Sequence, residues 1–470
     1  MANGKCSGPW APREACGGPA CACRASLRPV TTVLYSARVV CPMTGPPLDD
    51  GGVLVSGEDI VAVGEATALR RRADREQHVD GVLLPGLVNA HTHLELADAG
   101  WLAQPGPYHR WQDAADGLLR TWTPDQWQHS ARRGVLHALR WGTTCVGDVV
   151  HDGAAVPAAS RAGLAGDSWV LLSDVDMREQ DAVLAALRHT LRLPAPGRRL
   201  GIAVGSVARM GTGTLQALAA LARELDVPLH AHAAVDQAEV RAVWHGDGPL
   251  AARAASTGAQ YEWVGAGTGF GPVRYLAECG ALRPGNSIAH GVWVDDRETR
   301  RLAAEQVAVV TCPRADERLQ AGTVPLERYA GAGVRMALGT ESLAAVPDLD
   351  PMAEAAAWVA LARAQGIALW PGAGGPVELE EQAVRLLTCD GAAALRWADH
   401  SGVLAPGRRA DMVGFDIATT AVTAYRDLLT RGVGRQVITV VAGVRRSWRS
   451  SGDTPWPALD DAEQAEVRDG

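Results

Sequence analysis

The residues best placed to do chemistry are histidines that follow apolar runs. His91 and His93 end such a run in LLPGLVNAHTHLE, and further candidate ligands follow later runs. If the run is a β-strand, residues two apart point to the same face, so both imidazoles project together. Two neutral imidazoles form half of a site for Zn²⁺ or another first-row metal ion. Because a His-X-His pair is common by chance, the prediction of a metal site depends on the later ligands.

The segments that must position these side chains alternate between strand-like and helix-like patterns. Besides the strand that ends near His91, apolar runs predict strands at residues 143–150, 168–175, 200–204, 228–234, 286–294, 307–312 and 334–338. Helix-like segments separate most of them, and one begins with the capping sequence TPDQ at residues 123–126. Eight such alternations predict an α/β fold, a (β/α)8 TIM barrel whose active site lies at the carboxyl ends of the strands.

Short runs of alternating apolar residues near both ends of the chain predict antiparallel strands. Strands from the two ends can join in one small split β-sandwich domain while the middle of the chain forms the barrel. The predicted order is a disordered leader at 1–28, the small β-domain at 29–86, the barrel at 87–402, the second part of the small domain at 403–449 and an acidic tail at 450–470.

Composition excludes several classes of protein. The 470 residues are 47% hydrophobic and 21% charged, as in globular proteins, and the net charge of −8 argues against nucleic-acid binding. No apolar run approaches the roughly 20 residues that span a bilayer. The first 28 residues contain no apolar signal segment, so we expect the cytoplasm as location. The nine cysteines suggest no disulfide framework.

The motif PGLVNAHTHLE resembles the first barrel strand of the amidohydrolase superfamily. The similarity extends from about residue 30 to about residue 445. It is greatest to the branch that contains adenosine-type, guanine and aminodeoxyfutalosine deaminases and triazine chlorohydrolases. SIAHG at 287–291 and LGTES at 338–342 match later motifs of this branch in the expected order, although the second normally reads LGTD.

The resemblance implies one divalent metal ion, with Zn²⁺ as the expected ion and Fe²⁺ as the alternative. The ligands that it implies are His91, His93, His232 and Glu341. His230 would support the site, and His290 would contact the metal-bound water or the substrate. Since Glu341 would also accept the proton of that water, His290 and Glu341 are the predicted catalytic residues.

The chain departs from the family pattern at several positions. The deaminases have a glutamate three residues after the strand-five ligand, where this chain has Val235. The neighbouring Asp236 would be turned away by strand geometry. Glu341 replaces an aspartate, Ser206 replaces a histidine that contacts substrate, and CPRAD at 312–316 replaces CPRSN.

These departures bear on the reaction. Deamination through a protonated ring nitrogen needs two proton-handling groups, and Val235 removes one of them. We predict a metal-dependent hydrolase of a small nitrogenous metabolite, in which water attacks a C–N carbon by deamination or by amide or lactam hydrolysis. The alternatives are a dehalogenating hydrolase and a non-catalytic metabolite-binding descendant. Retention of all four candidate histidines favours the hydrolase.

Further residues are candidate substrate contacts. Glu95 shares a strand face with His93, and Trp111 follows a Pro- and Gly-containing segment that could cap the substrate. Arg209 and Arg314 would suit an anionic group of the substrate, although surface arginine is common. His230 is included because it lies on the same predicted strand as His232, two residues before it. We expect a small-molecule substrate, no nucleic acid and no membrane partner, and we leave a homodimer open.

Overall fold

A computed structural model describes residues 31–448 apart from 176, 177, 260 and 373. The predicted leader at 1–28 and the predicted tail at 450–470 lie outside the described residues. Within them, no helix combines the length and the apolar character that crossing a membrane would require.

The strands fall into two principal sheets and a hairpin. The first part of the chain contributes Thr32–Val40 (β1), Leu48–Ser56 (β2), Asp59–Glu65 (β3) and Arg75–Pro85 (β4). The central strands are Leu87–Thr92 (β5), Thr143–Val150 (β6), Ala165–Leu172 (β7), Arg198–Val204 (β8), Leu229–Ala233 (β9), Ser287–His290 (β10), Ala308–Thr311 (β11) and Met336–Leu338 (β12). The remaining strands are Leu369–Gly372 (β13), Gly375–Glu378 (β14), Met412–Phe415 (β15), Gln436–Val441 (β16) and Val444–Trp448 (β17).

Helices connect most of the central strands. In chain order they are Ala66–Leu69 (α1), Tyr108–Leu119 (α2), Pro124–Arg140 (α3), Ala155–Ala162 (α4), Gln180–Thr190 (α5), Thr212–Glu224 (α6), Gln237–His245 (α7), Gly248–Thr257 (α8), Pro272–Glu278 (α9), Asp296–Ala304 (α10), Pro313–Arg318 (α11), Leu326–Ala332 (α12), Pro351–Ala364 (α13), Leu379–Leu386 (α14), Cys389–Ala394 (α15) and Ala424–Arg431 (α16). Short 3₁₀ turns occupy Arg70–Arg72, Leu94–Leu102 and Val207–Arg209.

The central strands form the predicted barrel. Strands β5 to β12 pair in sequence order, and each pair is parallel. The first and last strands meet where the amide of Thr340 donates to the carbonyl of His91 at 3.0 Å. The prediction of a (β/α)8 barrel is therefore confirmed, with the carboxyl ends of all eight strands at one rim.

The two ends of the chain share the other large sheet. Its strand order is β17-β16-β15-β4-β1-β2-β3, and the antiparallel pair of β15 with β4 joins the late strands to the early ones. These strands lie within the two ranges predicted for the small domain, and the barrel strands lie within the range predicted for the barrel.

Local sequence explains several element boundaries. Helix α3 begins with the predicted capping box, because the Thr123 hydroxyl accepts from the Gln126 amide at 3.3 Å and the Gln126 side chain accepts from the Thr123 amide at 2.8 Å. Strand β10 ends at His290, well before the predicted residue 294, because His290 has a left-handed backbone with φ of 69°.

Candidate metal-dependent active site

The closure of the barrel brings the first and last strands together at the site. The Asn89 side-chain amide donates to the Thr340 hydroxyl at 2.7 Å and its oxygen accepts from the Thr340 amide at 3.1 Å. A β-carbon added at Gly339 would lie 2.6 Å from the β-carbon of His91, so only glycine allows this approach. The amide of His93 then donates to the carbonyl of Glu341 at 2.9 Å. Strand β5 thus holds its two histidines directly beside Glu341.

Four buried side chains converge at this rim. One potential ligand atom from each lies within 4.8 Å of the others, and the four residues are His91, His93, His232 and Glu341. The Nε2 atom of His93 lies 3.3 Å from the Nε2 of His232 and 3.3 Å from the Oε1 of Glu341. The structure therefore brings together the four residues predicted as ligands. Their role as ligands stays a prediction.

Each histidine of the cluster is oriented through its other ring nitrogen. The Nδ1 of His91 lies 2.9 Å from the Nε2 of His230, and the Nδ1 of His93 lies 3.0 Å from the Nε2 of His151. The Nδ1 of His232 lies 3.2 Å from the carbonyl of Val204. Hydrogen bonds of this kind place the proton on Nδ1 and leave the Nε2 lone pair for a metal ion.

The donor set fits a divalent metal ion. The Nε2 of His91 and the Oε1 of Glu341 are buried and have no hydrogen-bond partner among the described residues, and such orphaned atoms normally carry a free-energy cost. Burial lowers the pKa of His91 and of His93 well below its ordinary value and lowers that of His232 to about 3. The imidazoles are therefore neutral, which is the form that binds metal.

His230 supports the cluster rather than lining a substrate surface. Its Nδ1 lies 2.7 Å from the Ser287 hydroxyl while its Nε2 faces His91. The imidazole also stacks on Trp169, with 4.2 Å between the ring centroids and 7° between the planes. With both nitrogens paired and one face covered, His230 fits the supporting role, and no contact favours its role as a substrate contact.

His290 faces the cluster and is held by Asp316. Its Nδ1 lies 2.7 Å from the Oδ1 of Asp316, and its buried Nε2 has no partner among the described residues. Burial acts to lower the pKa of His290, but the Asp316 carboxylate and its hydrogen bond outweigh burial and raise it. The altered CPRAD motif thus supplies a carboxylate where the family pattern has an asparagine.

Helix α2 covers the rim above these residues. The ring of Tyr108 packs edge-on against His290, with 5.4 Å between the centroids. The indole nitrogen of Trp111 donates to the carbonyl of Ala344 at 2.7 Å, and Gln112 donates to the carbonyl of Gly205 at 2.9 Å. The position of α2 over the rim agrees with the prediction of a segment that caps the substrate. The indole N–H of Trp111, however, is used in a hydrogen bond within the protein.

The two arginines suggested as anion binders have carboxylate partners within the protein. Arg209 is buried and forms ion pairs with Asp113 and Asp116 of α2. Arg314 lies 2.9 Å from a carboxylate oxygen of Asp348. Because both guanidinium groups are paired with carboxylates of the protein, the structure does not support the prediction that they bind an anionic group of the substrate.

The Glu95 carboxylate is also used in hydrogen bonds within the protein. Its carboxylate accepts from the backbone amides of His151 at 2.6 Å, Asp152 at 2.9 Å and Ala155 at 2.9 Å. The side chain therefore satisfies amides at the start of α4, and this use leaves the predicted substrate contact without support.

Two residues near the site escaped the sequence prediction. His151 follows β6 and contacts His93, but a lone histidine after a strand carries no distinctive signal. Glu239 is buried in α7 and accepts from the Ser206 hydroxyl at 2.8 Å and from the Val235 amide at 2.9 Å. Asp236 and Glu239 have the spacing of a capping box, and this is the sequence signal that could have identified Glu239.

Comparisons with known proteins give the class and the family. The site and fold are those of a metal-dependent hydrolase built on a barrel, and the sequence profile of the amidohydrolase family matches residues 82–446. The chain is 31% identical over 334 residues to the aminodeoxyfutalosine deaminase of Deinococcus radiodurans, covering 67% of this chain and 78% of the relative. It is 29% identical over 401 residues to the 5-methylthioadenosine/S-adenosylhomocysteine deaminase of Halobacterium salinarum, covering 81% and 83%.

A solved structure agrees with the fold. An adenosine deaminase of Xanthomonas campestris with bound zinc superposes with a TM-score of 0.75 at 23% identity, covering 93% of this chain and 97% of that one. The chain belongs to the amidohydrolase family. It is a hydrolase that acts on C–N bonds other than peptide bonds, as predicted.

Proposed function

We propose that this protein is a zinc-dependent deaminase of an adenosine-type nucleoside. The observation that carries the proposal is the buried cluster of three histidines and Glu341 beside His290. The deaminase relatives and the zinc-bound neighbour support the same chemistry. Of the reactions considered from the sequence, deamination has the most support, and neither dehalogenation nor a non-catalytic role is better supported.

The residues of this chain would divide the work as follows. His91, His93, His232 and Glu341 would hold the ion, which when bound lowers the pKa of water toward neutrality. Burial raises the pKa of Glu341 to about 7 before any ion is considered. A carboxylate there would take a proton from the attacking water and deliver it to the leaving amine. The free Nε2 of His290 would stabilise charge that develops at the attacked carbon.

The surroundings of the cluster favour a substrate of nucleoside size. A cavity of about 350 Å³ lies beside His151 and is lined by Trp127, Asp152 and Asp174 among others. Volumes from roughly 300 Å³ upward are typical of small-molecule sites. We propose that the substrate base reaches the cluster beneath Tyr108 and that its sugar or 5′ substituent occupies this cavity.

Ammonia release provides the test. Protein loaded with one equivalent of Zn²⁺ should deaminate at least one of adenosine, 5′-deoxyadenosine, 5-methylthioadenosine, S-adenosylhomocysteine and aminodeoxyfutalosine. Guanine, a chlorotriazine and a lactam serve as comparison substrates for the other reactions of the branch. Release of chloride or opening of the lactam without ammonia from any nucleoside would contradict the proposal.

Other features remain proposals that rest on the sequence or on relatives. Zn²⁺ rather than Fe²⁺ is proposed because the neighbour contains zinc, and elemental analysis of protein purified without chelator would decide. Cytoplasmic location and a homodimer can be tested by cell fractionation and by light scattering.

A further inference from the structure

Glu239 connects the two positions at which this chain departs from the deaminase pattern around strands β8 and β9. One carboxylate oxygen accepts from the Ser206 hydroxyl at 2.8 Å, and the other accepts from the Val235 amide at 2.9 Å. Ser206 follows β8 and Val235 follows β9, so both lie at the catalytic rim of the barrel. The buried Glu239 carboxylate therefore contacts both Ser206 and Val235. These are the two positions at which the chain lacks the histidine and the glutamate of the deaminase pattern.

The position of Glu239 relative to the cluster is consistent with a role in the reaction. Ser206 lies two residues beyond Val204, whose carbonyl orients His232. The ring of Tyr108 packs against His290. Burial raises the pKa of Tyr108, and negative charge on Glu341 and on Glu239 raises it further. The phenol of α2 thus lies near both carboxylates, which places Glu239 and Glu341 around the same covered space.

We propose that Glu239 is a positioning residue that acts through the Ser206 hydroxyl to deliver the proton that the ring nitrogen of the substrate needs. This inference rests on the proposed deaminase function, and it supplies the second proton-handling group that Val235 cannot provide.

The protonated form of Glu239 is accessible near neutral pH. Burial raises the pKa of its carboxyl group to about 7, although the hydrogen bonds from Val235 and Ser206 act in the opposite direction. The charged groups that face it are Asp236 on its own helix, which raises its pKa, and His290 from the end of β10, which lowers it. A buried carboxylic acid of this kind is a competent proton donor at pH 7.

The proposed step balances in protons. The Ser206 hydroxyl gives its proton to the ring nitrogen as it receives the proton of Glu239. Glu341 takes one proton of the attacking water and passes it to the amine, which leaves as ammonia when the C–N bond breaks. The second water proton passes to solvent as the new carbonyl forms, and Glu239 is reprotonated from solvent. The ring nitrogen keeps its proton in the product.

The decisive variant is Glu239→Gln. The glutamine oxygen can still accept from the Val235 amide and its NH2 group can donate to the Ser206 hydroxyl, but the side chain cannot transfer a proton. In the zinc-loaded full chain, kcat for adenosine-type deamination should fall by ~10²–10⁴-fold with KM changed less than about threefold. In the wild type, kcat should fall as the pH rises through the pKa of Glu239, since the acid is the active form. This alkaline fall should be absent from Glu239→Gln.

A second substitution separates a proton relay from a structural role. Val235→Glu in the Glu239→Gln background places a carboxyl at the position used by the related deaminases, and it should restore kcat at least tenfold. A structural defect at Glu239 would not be repaired in this way. Glu298→Gln is the matched control, because Glu298 is also buried and accepts from two backbone amides, those of Arg274 and Asp295, and it should retain wild-type kcat.

The possible failures are distinguishable. If the wild type releases ammonia and Glu239→Gln keeps the same kcat and pH profile, the relay is wrong while the deaminase function stands. If the wild type releases no ammonia from any adenosine-type nucleoside, the proposed function fails and the relay fails with it. Should Glu239→Gln not fold, Ser206→Ala must show the same loss of the alkaline fall, and an unchanged profile there overturns the relay.

Discussion

The Nε2 atom of His151 lies 3.0 Å from the Nδ1 of His93, and this contact orients one of the four candidate ligands. The residues come from the ends of adjacent strands β5 and β6. His151 also stacks on Trp127, with 6.0 Å between the centroids and 18° between the planes. Burial lowers the pKa of His151 to about 4, so the ring is neutral and can accept the His93 proton. Through His151, Trp127 of α3 thereby helps to fix the candidate ligand His93.

We expect His151→Phe to weaken metal binding without unfolding the protein. Phenylalanine can keep the stacking on Trp127 but cannot accept the hydrogen bond. Loss of such a partner typically costs about 10–100-fold in metal affinity. Competition with a chromogenic chelator would measure the Kd for Zn²⁺. The exposed His189 provides a control, and His189→Phe should bind as the wild type does. Equal affinity of all three proteins would contradict the prediction.

We expect Arg209 to hold α2 in place through its ion pairs and not to bind a charged group of the substrate. Arg209→Met leaves Asp116, which is partly buried, without its partner, and we expect a loss of roughly 3 kcal/mol in the free energy of unfolding. Hydrogen exchange in α2 should accelerate. The control Arg241→Met breaks an exposed pair with Asp247 and should change the free energy of unfolding far less, because solvent screens exposed ion pairs.

Kinetics separate this role from anion binding. If Arg209 recognised an anionic group, Arg209→Met would lower kcat/KM for a phosphorylated nucleoside much more than for neutral adenosine. We expect the two substrates to be affected equally.

Glu354 should make stability depend on pH. Burial raises its pKa to about 8, in spite of the Arg314 guanidinium 3.7 Å away. Since the folded pKa lies above the unfolded value of ~4.3, the stabilising contribution is complete below that value and is lost as the pH rises toward 8. Glu354→Gln removes the titration, so the variant should gain stability relative to wild type between pH 5 and pH 8.

Urea unfolding of both proteins at pH 5, 6.5 and 8 would measure the difference. Glu224→Gln serves as the control, because the hydrogen bond from Arg188 lowers the pKa of Glu224 and its titration falls below this range. A constant difference between Glu354→Gln and wild type across the three pH values would show that Glu354 is ionised throughout.

Asp350 should stabilise the junction between the barrel and the small sheet. It caps α13 by accepting from the Met352 amide at 2.9 Å, and it also accepts from the Gly434 amide at 2.9 Å and the Gln436 side chain at 2.6 Å. Asp350→Ala should lower the free energy of unfolding by roughly 2–4 kcal/mol, because it leaves several buried donors without this acceptor.

The corresponding measurement is chemical denaturation of the metal-loaded protein. Asp247→Ala is a suitable comparison, because Asp247 is at the N-cap of α8 but accepts no capping hydrogen bond there. An equal loss in the two variants would mean that the contacts of Asp350 to Gly434 and Gln436 add nothing.

The sequence alone determined the architecture and the set of candidate ligands. Alternation of apolar strands with helix signals is a local property, and it identified the barrel because each strand and helix follows its neighbour in the chain. The resemblance to the amidohydrolase motifs gave His91, His93, His232 and Glu341 as candidate ligands. Because barrel strands all end at one rim, these residues were expected to converge there, and they do. The capping box of α3 was predictable for the same reason, since its partners are three residues apart.

Only the tertiary structure decided what surrounds the candidate ligands. His93 and His151 are 58 residues apart, and Ser206 and Glu239 are 33 apart, so no local pattern records either contact. The roles suggested for Glu95 and Arg209 followed from residue type, but burial offers such polar groups backbone amides or opposite charges that the sequence does not reveal. A buried side chain must satisfy its own hydrogen bonds and charge, and the partners that do so are chosen by packing in three dimensions.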